Sequence, residues 1–132
     1  MGRNLVLCAD GTCNPFGDSS SNVARLLEHV ELQMADAQVV CYDQGIGTRR
    51  SEHARIRAFQ RGLGDSGALH LLKPPVDDWT RPWTWPFLIA SMTAGLGLKT
   101  NVRQLYLELA RLHAPGDEVY LFGFSRGAFT VR

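Results

Sequence analysis

A chain of 132 residues has room for one domain built on one hydrophobic core. With 45% hydrophobic residues, 20% charged residues and a formal net charge of +1, it fits neither a disordered chain nor a collagen-like one. It carries no global field of the kind that draws a protein to nucleic acid or an anionic membrane.

The first apolar run, "NLVLCA" (Asn4–Ala9), is followed directly by "DGTCN" (Asp10 to Asn14). The run is continuous rather than alternating, the pattern of a strand covered on both faces in a parallel α/β sheet. "MGRNLVLCADGT" is too short in apolar residues for a signal peptide. A helix follows: Ser21 or Asn22 can cap it, and Val23, Leu26, Leu27 and Val30 recur at helical spacing. The second continuous run is "QVVCYD" (Gln38–Asp43), and "YDQGIGT" leaves it as a tight loop bordering the strand ends. Arg49, Arg50, Arg55, Arg57 and Arg61 form a local cluster read as a solvated helix face. A weaker helix starts near Ser51 and carries Ile56 and Phe59 inward.

The segment from Leu72 to Phe87 holds four of the six prolines and all three tryptophans. It reads as a long irregular insert, either a binding loop or a surface excursion whose tryptophans pack on the domain. The uncharged stretch from Arg81 to Lys99 is broken by Pro82 and Pro86, so no transmembrane segment is expected. A second clear helix is capped by Thr100 or Asn101, with Val102, Leu105, Tyr106, Leu109 and Leu112 as its apolar stripe, and Pro115 and Gly116 end it. The third run, "EVYLFG" (Glu118–Gly123), leads straight into "FSRGAFTVR", which opens a further helix. Strand, helix, strand, helices, strand implies right-handed crossovers and a parallel sheet.

Gly123-Phe124-Ser125-Arg126-Gly127 is a G-x-S-x-G pattern placed directly after an apolar strand and before a helix, the setting of a nucleophile elbow. The glycines leave room for the sharp turn, and Ser125 is pushed out at the C-terminal edge of the sheet, where the helix start favours developing negative charge. Acyl transfer needs two backbone N–H donors for the oxyanion. Arg126 supplies one, and Gly11 or Thr12, in the loop after the first strand, supplies the other, with Asp10 bracing that loop through its carboxylate. If the second and third strands flank the first, the switch point puts the Asp10 loop beside Ser125. Asp43 then lies two strand spacings away, roughly 9.5 Å, too far to be the acid of a triad. His29, His53, His70 and His113 offer no obvious base.

The three cysteines, Cys8, Cys13 and Cys41, form no C-x-x-C pair and give neither a disulfide framework nor a zinc signature. Cys8 and Cys41 read as buried small hydrophobes, and the compartment as reducing. An aspartate-nucleophile phosphatase of the D-x-D-G-T type is disfavoured, because Cys8 stands where its phosphate-accepting carboxylate belongs.

In this order, "LCADGTCN", "SNVARLLEHV", "QVVCYDQGIGT", "GLGLKTNVRQLYLEL" and "PGDEVYLFGFSRGAFTVR" resemble the uncharacterised α/β-hydrolase domain family related to type VI secretion phospholipase effectors. The resemblance excludes roughly residues 50 to 90. It implies an α/β fold with a parallel three-layer sheet of the α/β-hydrolase type, Ser125 as nucleophile, and an acid and a histidine downstream of it. Residues 1–132 are then the N-terminal portion of one such domain, incomplete at the C-terminus, with the Trp/Pro-rich insert around 72–87. The implied partner is a small-molecule or lipid ester, met at a membrane surface, without nucleic acid, cofactor or metal. The chain is cytoplasmic as encoded, and the resemblance implies non-classical secretion. Cys13 stands where the family usually has tryptophan, which leaves the pocket shape and substrate open. The alternative is a non-catalytic remnant or interaction module of the same fold.

Overall fold

The computed structural model describes residues 2–11, 21–30, 36–44, 58–61, 68–72 and 98–132. The expected helix start at Ser51, the cluster from Arg49 to Arg57, and residues 73–87 of the Trp/Pro-rich insert lie outside the described residues. Among those described, the elements are β1 (Asn4–Ala9), α1 (Asn22–His29), β2 (Gln38–Asp43), β3 (Leu69–Leu71), α2 (Leu98–Leu112), β4 (Glu118–Gly123) and α3 (Arg126–Thr130). Residues 58–61 are also helical.

The strands form one parallel sheet in the order β3-β2-β1-β4. β1 sits between β2 and β4 in matching register, so that Ala9 lies level with both Asp43 and Gly123. The step from β1 to β2 and the step from β3 to β4 run in opposite directions across the sheet. Right-handed crossovers then put α1 and α2 on opposite faces, and the packing follows. Val6, Cys8, Val40, Tyr42 and Leu69 meet Val23, Ala24 and Leu27 of α1. Leu5, Leu7, Ala9, Val39 and Cys41 meet Leu105 of α2, with Leu109, Leu112 and Val131 alongside. β1 and β2 bury both faces, and for this reason their sequences run apolar without alternation. Leu27 is fully buried, and burial of such a side chain is worth about 1.5–3 kcal/mol.

Ser21 caps α1, its hydroxyl accepting from the Ala24 N–H at 3.1 Å, and Phe59 packs inward on the same core. Four departures from the sequence reading stand out. β3 is a fourth strand; three residues are too few to leave a periodic signal. α2 begins at Leu98, so Thr100 and Asn101 lie inside it rather than capping it, and Asn101 is buried. Val102 and Tyr106 are exposed, Tyr106 at 68%, while Leu105 alone of the expected stripe is buried. The continuous run of β4 implies cover on both faces, yet Val119, Tyr120, Leu121 and Phe122 are all exposed, and among the described strands β4 pairs with β1 alone.

At the N-terminal edge of the sheet, Arg3 clasps β1 to the turn before β4. Its backbone N–H donates to Asp117 Oδ1 at 2.8 Å, and its guanidinium donates to Asp117 Oδ2 at 3.0 Å and to the Leu112 carbonyl at 2.6 Å. The Ala114 N–H donates to the same carboxylate. These donors, the Arg3 side chain first, hold the Asp117 carboxyl well below its ordinary value of 3.8. A carboxylate held low in the folded state stabilises the fold above its ordinary value and stops doing so as acid protonates it. Asp117→Asn is therefore expected to be less stable than the wild type in urea titrations at pH 7. The gap should narrow as the pH falls below about 4.

Candidate active site

The C-terminal ends of β1 and β4 meet at the point where the chain's crossovers change direction. There Gly123 ends β4, Phe124 and Ser125 make the turn, and α3 starts at Arg126. Ser125 has φ 55° and ψ −121° and is the one non-glycine with positive φ among the described residues. A side chain in this region of backbone space costs of order 1–3 kcal/mol and persists only where its surroundings dictate it. Here they do. The Phe124 N–H donates to the Ala9 carbonyl at 3.1 Å, carrying the β1–β4 ladder one step past the strand. The Gly127 N–H donates to the Phe124 carbonyl and the Ala128 N–H to the Ser125 carbonyl, closing the turn into α3.

The two glycines make this turn sterically feasible. A Cβ on Gly127 would lie 2.0 Å from the Ala9 carbonyl oxygen, and one on Gly123 would lie 2.5 Å from Ala128 Cα. Both obstacles are backbone. Ser125 itself is exposed and makes no side-chain cap with α3, so its hydroxyl is not spent on holding the helix.

Across from the turn, Asp10 and Gly11 leave β1. Asp10 is 2% exposed and Tyr42 1%. Asp10 Oδ2 accepts from the Ser21 hydroxyl at 2.6 Å and the Tyr42 hydroxyl at 2.8 Å, and Oδ1 accepts from the Gly11 N–H at 2.7 Å. The Asp10 N–H donates to the Asp43 carbonyl at 2.8 Å. The Gly11 N–H therefore points at the Asp10 carboxylate. Burial and the neighbouring Asp10 charge raise the Tyr42 hydroxyl pKa far above its ordinary value, so Tyr42 is a donor throughout the physiological range. Tyr42 and Ser21 escape a reading of the sequence as partners of Asp10. Tyr42 sits inside an apolar strand run, and Ser21 is accounted for as a cap.

Thr12, Cys13 and the "YDQGIGT" loop beyond Gln44 lie outside the described residues. Asp43 is two strands from the Ser125 turn, across β1. Of the histidines, His29 and His113 are exposed, and His70 lies within β3, 3.2 Å from Glu108; His53 is outside the described residues. Cys8 and Cys41 are buried, and desolvation pushes both thiols up to about 12. At neutral pH both are therefore thiols rather than thiolates. No group of metal-ligating side chains occurs among the described residues, and no described helix is long and apolar enough to cross a membrane.

The fold and this corner define a parallel α/β domain with a strained, outward-facing serine at a strand-to-helix turn. Residues 3–132 match the family described as the type VI secretion system phospholipase effector Tle1-like catalytic domain, and the chain belongs to that family. It is 32% identical over 132 residues to an uncharacterised protein of Saccharomyces cerevisiae. That alignment takes in 99% of this chain but only 16% of the relative, so the chain spans a small part of the curated relative it matches. No solved structure matches.

Relief of the strain at Ser125 is measurable. Ser125→Gly is expected to raise stability by about 1 kcal/mol in chemical denaturation, since glycine adopts the turn freely. Ser125→Ala keeps the strain and should stay within about 0.5 kcal/mol of the wild type. Gly127→Ala, with its Cβ against the Ala9 carbonyl, is expected to cost more than about 3 kcal/mol.

Proposed function

We propose that the chain carries the nucleophile end of a serine hydrolase of the α/β-hydrolase type, acting on carboxylic esters and, in keeping with its family, on phospholipids. The backbone of Ser125 is the observation that carries this reading. A serine at φ 55° and ψ −121° between a parallel strand and a helix, flanked by two glycines that admit no Cβ, has the features of a nucleophile elbow.

In this reading Ser125 Oγ attacks the ester carbonyl carbon while a histidine takes its proton. The tetrahedral oxyanion is held by the Arg126 N–H and by one N–H of the loop after β1. Collapse expels the alcohol with the proton returned, and water then releases the acid from the acyl-enzyme. With the Gly11 N–H turned to Asp10, we assign the loop donor to Thr12. Acid and histidine follow the nucleophile in the chain order of these hydrolases. We therefore take residues 1–132 as the N-terminal portion of one such domain, with little turnover by itself, working without cofactor or metal on an ester met at a membrane surface. The exposed apolar edge of β4 favours a second reading, a non-catalytic interaction module of the same fold.

Nitrophenyl-ester and phospholipid hydrolysis distinguishes these readings. The 132-residue chain should turn over little. A longer gene product that supplies the acid and histidine should hydrolyse esters and lose about 10³-fold or more with Ser125→Ala. Ser125-dependent turnover by residues 1–132 alone would show that the acid and base are misplaced. Hydrolysis indifferent to Ser125→Ala would refute the nucleophile, and no hydrolysis by the longer gene product would favour the interaction module.

A further inference from the structure

We infer that Tyr42 and Ser21 are positioning residues for this site, acting through the Asp10 carboxylate on the loop that faces Ser125. The inference rests on the reading of Ser125 as nucleophile, and its physical basis is a clamp drawn from three elements. Tyr42 comes from β2, Ser21 from the start of α1, and Asp10 from the end of β1. All three are buried. The Ser21 hydroxyl accepts from the Ala24 N–H and donates to Asp10 Oδ2, while the Tyr42 hydroxyl donates to the same oxygen. The other carboxylate oxygen takes the Gly11 N–H.

A buried carboxylate is costly unless it is fully hydrogen-bonded, and an apolar residue of similar size would stabilise the core at least as well. What the carboxylate adds is direction. With two hydroxyls donating to Oδ2, the carboxylate is fixed in orientation, and the Gly11 N–H is turned onto Oδ1. That orients the peptide leaving β1 at the point where the loop begins.

The clamp is also mechanically joined to the serine turn. The Ala9 carbonyl accepts the Phe124 N–H, and Gly127 lies against the carbonyls of Ala9 and Asp10, close enough that a Cβ there would fall 2.8 Å from the Asp10 carbonyl oxygen. Oxyanion stabilisation depends on donors fixed in advance of the reaction, and misplacement of about 1 Å costs on the order of 10²-fold. A hydroxyl two strands from the serine thereby bears on its chemistry without touching the substrate.

The test uses Tyr42→Phe, which removes one hydroxyl and little volume, together with Ser21→Ala and Ser21→Thr. In the 132-residue chain, amide hydrogen exchange followed by NMR should show protection of the Gly11 N–H falling about tenfold in Tyr42→Phe and Ser21→Ala. Protection of Val6, Val40 and Leu27 should change less than about twofold, and Ser21→Thr should restore Gly11. In a gene product with ester hydrolysis, Tyr42→Phe should lower kcat about tenfold with KM within about twofold. Unchanged Gly11 exchange, or an equal loss along β1, β2 and α1, would reduce Tyr42 to an ordinary core residue and overturn the inference. So would an unchanged kcat in a gene product whose hydrolysis Ser125→Ala abolishes. Hydrolysis that survives Ser125→Ala refutes the nucleophile instead, and the exchange experiment still decides whether the clamp exists.

Discussion

Gly127 rests on the backbone of Ala9 and Asp10 with no room between them, and the rest of the corner depends on that approach. It draws the start of α3 over the end of β1, so β4 must turn within two residues. Phe124 still pairs with Ala9 as though the strand continued. Ser125 is left to absorb the change of direction and does so at positive φ. A strained residue is kept only where its surroundings outweigh the strain, and here the surroundings are backbone on both sides. The strain is thus a property of the β1–β4 junction rather than of the serine's own side chain.

That junction can bear the load because β1 is the best-supported strand of the sheet. It pairs with β2 and β4 along its whole length, and its side chains enter both cores. Strain of 1–3 kcal/mol is a sizeable share of the 5–15 kcal/mol that a domain has in total. It is tolerable where a local opening would break two ladders and two cores at once. The Arg3–Asp117 clasp adds to this at the far end of the same strands, so that β1 and β4 are tied at both ends.

Three of the four described strands are legible in the sequence because physics writes them in composition. Three continuous apolar runs become β1, β2 and β4 with unchanged bounds; for β1 and β2 the cause is cover on both faces, which leaves a parallel strand no reason to alternate. The turn at Ser125 was legible because two glycines and the strand-to-helix setting leave few other conformations. What stayed hidden has physical causes too. β3 has three residues, too few to show a strand's alternation. Thr100 and Asn101 look like caps, but a helix start is chosen by the packing of Leu105 and its neighbours as much as by capping chemistry. The Asp10 clamp could be half seen: an aspartate after a strand suggests a braced loop, whereas its donors, 11 and 32 residues away, are fixed by the fold alone.

Two carboxylates among the described residues, Asp117 and Asp10, make the same point from opposite sides. Asp117 is held by a neighbouring cation and backbone amides and fastens strand ends together. Asp10 accepts from two hydroxyls and a backbone N–H where the chain leaves β1. An arginine placed on Asp10 would offer several donors in a fixed fork and would compete with the Gly11 N–H for the carboxylate. Hydroxyls donate once each and leave Oδ1 to the backbone. With the hydroxyls on Oδ2, the Gly11 N–H keeps Oδ1, and the contact fixes the orientation of the peptide that leaves β1.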